Sequence, residues 1–255
     1  MNFNLNYLSS GAGRPVIFQH GLGADATQAQ ALLGGMEGVQ LISLDCPGHG
    51  KSPLPASYAP SFAAYTAEVL RLMDHLGIEK AVLGGISMGS GISLRMAIHH
   101  PERVAGLILV RPAWLAQGRP ANLEILLELI PYLAWPDGEA QFARTETFRQ
   151  IRAELQQAAA SVAGMFSREQ GDATARVVTH LVADAPFADM ASLAGIQQPA
   201  LLVGNADDPL HPLEIAEEIA THLPNRQLKT VTSRYLDGAK HRQEVLAHVR
   251  SFLEI

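Results

Sequence analysis

The 255-residue sequence contains a single cysteine, Cys46. An internal disulfide is therefore impossible, no paired-cysteine metal motif can form, and a lone thiol fits a reducing compartment. Basic runs are missing too. The 19 Lys and Arg stand against 25 Asp and Glu, a net charge of −6, which leaves no electrostatic footprint for a nucleic-acid backbone. Charged residues are sparse at 17% and aromatic ones at 6%, while 47% are hydrophobic, enough for a large buried core and too much for disorder. Apolar runs such as residues 107–110 fall far short of the roughly 18 residues of a membrane span. Residues 1–10 alternate polar and apolar positions without a basic n-region, the pattern of a strand and not of a signal peptide. The expectation is a cytoplasmic protein with no nucleic-acid partner and no membrane span.

What is present is an alternation. Short apolar runs at 16–18, 41–44, 81–83, 107–110 and 201–203 are separated by helix-length patterns at 61–76, 88–99, 213–223 and 241–253. Near-continuous apolarity suits parallel strands buried on both faces. Phe62, Tyr65, Val69, Leu72, Met73 and Leu76 recur at helical spacing. The fold class predicted is α/β, a doubly wound and mostly parallel sheet. Between 112 and 185 no strand is evident; helical patterns at 122–132 and 142–166 carry Trp114, Tyr132, Trp135, Met165 and Phe166. Some 70 residues are too long for a plain connection. They are read as a helical lid over a core made of residues 1–111 and 186–255. The glycine-rich 11–15 segment precedes a strand, lacks phosphate-loop spacing and is expected to be a hairpin.

Gly85-Ile86-Ser87-Met88-Gly89 follows a strand and opens a helix, the strand–turn–helix setting in which a G-x-S-x-G serine projects above a sheet edge as a nucleophile. His20-Gly21-Leu22-Gly23 also follows a strand. Its turn can aim the Leu22 amide at the same point as the Met88 amide, making an oxyanion hole of two N–H donors. His20 is read as holding that loop rather than as a base. His99 and His100 are adjacent and cannot face one ion from a helix face, and no His-Glu-x-x-His pattern occurs, so neither a metal nor another cofactor is expected.

These segments, together with Asp45-Cys46-Pro47-Gly48-His49-Gly50-Lys51-Ser52 in the order given, resemble the α/β-hydrolase superfamily, in particular its serine-nucleophile esterases and lactonases. The resemblance spans almost the whole chain and implies that Asp45 and His49 are architectural. It also implies an acid after the strand that follows the lid and a histidine before the last helix. Asp208, in Asp207-Asp208-Pro209-Leu210-His211-Pro212, fits the acid better than Asp207, and His241 fits the base. His211 comes too soon after the acid to match the Ser…Asp…His order of this fold.

The expected activity is hydrolysis of a small ester, thioester or lactone through Ser87, His241 and Asp208 and an acyl-enzyme. Trp114 and Trp135 are candidates for binding an apolar part of a small-molecule substrate. Carbon–carbon bond hydrolysis, perhydrolase or haloperoxidase chemistry with the same triad, and a non-catalytic ligand-binding protein are the alternatives.

Overall fold

The computed structural model describes residues 3–167 and 171–254. Seven strands form one sheet: β1 (Tyr7–Gly11), β2 (Arg14–Gln19), β3 (Val39–Leu44), β4 (Ala81–Ile86), β5 (Val104–Val110), β6 (Ala200–Gly204) and β7 (Arg226–Thr230), in the order β1-β3-β2-β4-β5-β6-β7. Only β1 runs antiparallel. All five strands expected from apolar runs lie within β2 to β6, and Ser87 leaves β4 at the centre of the order.

Two-residue periodicity divides the core. Ile17, Ile42, Leu83, Leu107, Leu109 and Leu202 point to one face, and Val16, Phe18, Leu41, Val82, Ile108, Val110 and Val203 to the other. Helices α2 (Phe62–His75) and α3 (Met88–His99) cover the first face, with Phe62, Tyr65, Leu72 and Ile92 in its core. Helix α1 (Thr27–Leu33) covers the second through Ala29, Leu32 and Leu33. Ser61 begins α2 by accepting the Ala64 amide at 3.0 Å, which satisfies one of the amides a helix start leaves open.

Between β5 and β6 the chain is helical: α4 (Glu124–Glu128), α5 (Gly138–Phe142), α6 (Glu146–Glu154), α7 (Gln156–Ala163) and α8 (Gly171–Ala183), joined by 3-10 turns. The helix expected over 142–166 is broken. Thr145 caps a new start, and Leu155 adopts an extended φ of −152° between α6 and α7. The 122–132 helix shortens to α4 flanked by 3-10 turns. Helix α9 (Leu213–His222) joins the first face, and α10 (Gly238–Leu253) joins α1 on the second through Val245, Val249 and Leu253.

Two further expectations are corrected. The 11–15 segment is not a hairpin, because β3 lies between β1 and β2 and pairs with both. Gly11 and Gly13 take φ of 74° and 120° to carry the chain over that strand. The N-terminal strand starts only at Tyr7; Met1 and Asn2 lie outside the described residues.

Candidate active site

Three neighbouring parallel strands end in residues forced into the left-handed region. Ser87 follows β4 with φ 55°, Arg111 follows β5 with φ 48°, and Asp207 lies beyond β6 with φ 56°. Non-glycine residues avoid this region, and several so placed at one carboxyl edge mark where the fold holds a strained geometry. At Ser87 the reason is close packing. A Cβ on Gly85 would come within 2.5 Å of Gly89 Cα, and one on Gly89 would strike the Gln19 carbonyl. The Ser87 amide donates to the Val110 carbonyl at 3.1 Å, tying the turn to β5. Its carbonyl receives the Ser90 and Gly91 amides, while its hydroxyl makes no hydrogen bond among the described residues.

The 20–23 turn faces this serine. Gly21 approaches so closely that a Cβ there would stand 3.5 Å from Ser87 Cβ. Gln28 holds the turn by accepting the Gly21 amide at 2.8 Å. His20 accepts the Cys46 amide at Nε2, 3.1 Å away, and its Nδ1–H donates to the Gly21 carbonyl at 2.9 Å, so this ring is occupied with the loop. Asp45 is tied down as well, accepting the Ala26 and Lys51 amides and the Asn6 side chain. The Met88 amide is the first of α3 and has no partner within the helix; the Leu22 amide donates to nothing among the described residues.

A cavity of about 140 Å³ lies over Ser87. Trp114, Leu123, Leu126, Val162 and Met165 form an apolar wall, and Arg111, His211, Arg234 and Tyr235 a polar one. The apolar wall comes largely from the helical segment between β5 and β6.

Asp208 is buried at the base of the polar wall. Its Oδ1 accepts the Leu210 and His211 amides at 3.2 and 3.1 Å and the His211 ring Nδ1–H at 2.9 Å. Its Oδ2 accepts Arg111 Nη1 at 3.2 Å. Burial opposes ionisation, but the interactions with His211 and then with Arg111 outweigh it and hold the carboxyl at about 2. Burial pushes the His211 imidazole below its ordinary range; Asp208 pulls it up, and the Arg111 and Arg234 cations push it down again. His211 is therefore neutral near pH 7, with Nδ1 protonated toward the carboxylate and Nε2 unprotonated.

His241 makes no hydrogen bond to this group among the described residues, although Asp208, Arg111 and Arg234 are near enough to act on its charge. Its Nδ1–H donates to the Thr232 carbonyl at 2.8 Å, and it is not part of the cavity wall. Helix α10 starts earlier than the sequence suggested, because Asp237 caps it by accepting the Lys240 amide at 2.9 Å; His241 is thus inside the first turn and buried at 4% exposure. Burial lowers its pKa as well. The hydrogen bond to Asp208 that was expected of His241 is made by His211 instead, since Leu210 and His211 of one tight turn donate to the carboxylate while His241 Nδ1–H is committed to the Thr232 carbonyl. Trp114 lies on the cavity, packed edge-on against Phe62 at 5.3 Å. Trp135 does not; it is 52% exposed at the end of a 3-10 turn and rests on Tyr132.

Sequence reading missed Arg111, Arg234 and Tyr235, which belong to no motif, and set His211 aside on chain order although its three-residue spacing from Asp208 was visible. Among the described residues no group of three or more His, Cys, Asp or Glu is placed to hold a metal ion. No helix among them is long and apolar enough to cross a membrane.

A 2-hydroxymuconate semialdehyde hydrolase of Pseudomonas putida is 26% identical over 89% of this chain and 82% of its own length. Two other curated matches are partial: the chain spans 40% of a haloperoxidase-like protein of Mycobacterium phage D29 and 29% of an acetoin-cleaving-system acetyltransferase component of Cupriavidus necator. Among solved structures, a thermophilic esterase from Thermogutta terrifontis superposes with a TM-score of 0.77 at 23% identity, covering 98% of this chain and 93% of that one. The enol-lactonase of Burkholderia xenovorans LB400 superposes with a TM-score of 0.75 at 21% identity, covering 98% and 96%. The family model for the alpha/beta hydrolase fold matches residues 14–234, so the chain belongs to the alpha/beta hydrolase fold family, and hydrolases are among its relatives.

Proposed function

We propose that the protein is a serine hydrolase acting on a small ester, thioester or lactone, with Ser87 as nucleophile, His211 as general base and acid, and Asp208 as the acid that orients it. The observation that carries this reading is the shared cavity. It holds the strained Ser87 and an imidazole whose Nδ1–H is already committed to a buried carboxylate, which leaves Nε2 for the serine proton. His241, the base expected from chain order, becomes a helix-start residue that supports the 232–237 loop.

In the proposed reaction, Ser87 Oγ attacks the carbonyl carbon as its proton passes to His211 Nε2. Asp208, kept ionised, stabilises the imidazolium. The Leu22 and Met88 amides are the donors available to the oxyanion, worth roughly 3–4 kcal/mol for one such donor. Collapse of the tetrahedral intermediate expels the leaving group, which takes the proton from His211. Water, deprotonated by the same nitrogen, then releases the acid and regenerates Ser87. The helical segment over the cavity acts as a lid, and its apolar wall takes the hydrocarbon part of the substrate.

Intact mass after fluorophosphonate treatment tests the reading. One stoichiometric adduct mapping to Ser87, absent in Ser87→Ala, supports it. A folded protein that never labels removes it. The 2-hydroxymuconate semialdehyde hydrolase relative is the reason to include 2-hydroxymuconate semialdehyde beside esters and lactones in the substrate panel.

A further inference from the structure

The cavity over Ser87 carries more positive charge than its own carboxylate balances. Two guanidinium groups, Arg111 and Arg234, are on its wall, against one carboxylate, Asp208, behind it. With His211 neutral, the local sum is one positive charge on the wall of a small cavity. Arg111 gives only Nη1 to Asp208, and its Nε, in a residue 3% exposed, has no hydrogen-bond partner among the described residues. Arg234 has no acceptor and no ion pair among the described residues; its guanidinium carbon sits 4.9 Å from the centre of the Tyr235 ring. Trp114 adds a second buried donor without a partner among the described residues, its indole Nε1. The wall thus offers donors in excess of acceptors, and leaving a buried donor or cation uncompensated is costly. Planar guanidinium groups match a carboxylate better than any other common anion of this size apart from phosphate.

Resting on the serine hydrolase reading above, we infer that the substrate carries its own carboxylate, taken up on the Arg111–Arg234 side of the cavity, so that the scissile carbonyl is presented to Ser87 within the same small acid. The class is the monoester of a short dicarboxylic acid or the lactone of a short hydroxy-dicarboxylic acid, each of which keeps one free carboxylate. The cation side selects the charge, while the Trp114, Leu123, Leu126, Val162 and Met165 wall contacts the hydrocarbon between the two ends. A neutral ester of equal length leaves the Arg234 guanidinium, half-buried on this wall, without an anionic partner.

The test pairs catalysis with binding. Monomethyl succinate and dimethyl succinate share an acyl chain and differ by one charge. Wild type is expected to prefer the monoester in kcat/KM by about thirtyfold or more, and Arg234→Met, which keeps the stem and removes the charge, is expected to erode that ratio through KM. Separately, Ser87→Ala is titrated with succinate and followed by tryptophan fluorescence, with Trp114 on the cavity as reporter; saturable binding weakened by Arg234→Met is expected. Hydrolysis of the dimethyl ester at equal or higher efficiency with no succinate binding overturns the carboxylate inference and leaves the hydrolase reading standing. Succinate binding with neither ester hydrolysed upholds the anion site and overturns the hydrolase reading. Neither binding nor hydrolysis overturns both.

Discussion

His211 Nδ1 lies 2.9 Å from Asp208 Oδ1 although the two residues are only three positions apart. The Asp208-Pro209-Leu210-His211 turn makes this possible. The same carboxylate oxygen accepts the Leu210 and His211 amides, so backbone and ring converge on one acceptor and the imidazole is held without help from another element. Arg111, from the neighbouring strand end, fixes the other oxygen. An acid and its histidine placed in a single turn are pre-organised before any substrate arrives.

Replacing the two histidines separates their roles. His211→Ala should lower kcat by roughly a thousandfold or more with the fold retained, as removal of a general base does. His241→Ala should leave turnover within about tenfold of wild type but cost about 1–3 kcal/mol of stability, because the Thr232 carbonyl loses its donor. Steady-state kinetics beside chemical denaturation check both, and the reverse pattern would return the base to His241.

Asp208→Asn should cost far more rate than Asp207→Asn. The amide can no longer compensate Arg111, leaving a buried cation with half its partner lost, so the variant should be less stable as well as slower. Asp207 instead offers its main chain, the carbonyl accepting the Ser233 hydroxyl at 3.0 Å. Comparable losses in the two variants would place the acid function elsewhere.

Burial sets the pH dependence. His211 ionises below its ordinary 6.5, so the acid limb of kcat/KM should have its midpoint below 6.5; a midpoint above it would contradict the buried, neutral ring. Stability follows the same sign. The folded state binds a proton on His211 less readily than the unfolded chain, so stability is full above 6.5 and is lost as pH falls below it. Asp208, at about 2 against 3.8 when unperturbed, contributes stability that is present above 3.8 and lost as pH falls toward 2. Thermal melts from pH 8 to pH 3 should therefore decline monotonically on the acid side.

The two tryptophans should behave oppositely. Trp114→Ala empties a buried site against Phe62 and should destabilise by about 3–5 kcal/mol while altering substrate preference. Trp135→Ala, at a half-exposed position away from the cavity, should stay within about 0.5 kcal/mol and leave kinetics unchanged. Equal effects on activity would mean that Trp135 reaches the substrate.

Composition and periodicity alone determined much of this protein. Apolar runs of four residues mark strands wherever both faces of a sheet are covered, and the two-residue alternation assigns Leu107 and Ile108 to opposite cores before any coordinates are known. The glycines flanking Ser87 are legible for a similar reason: only a side chain of one hydrogen fits where β4, α3 and the Gln19 backbone meet. These are local constraints, and local constraints are written in consecutive residues.

Which imidazole meets Asp208 is a different kind of question. His241 and His211 are equally histidines, and their choice of partner depends on atoms converging from separate loops. The Asp237 cap draws His241 into α10 and toward the Thr232 carbonyl, while the Asp208 turn folds His211 back onto its own carboxylate. Arg111 and Arg234 lie 123 positions apart, as their numbers show, and become a shared cationic wall only because β5 ends beside β6 and the chain beyond β7 packs across both. The strands and the Ser87 turn were determined by sequence; the pairing and the charge of the cavity were decided by tertiary structure, because hydrogen bonds and ion pairs depend on distances that no linear spacing encodes.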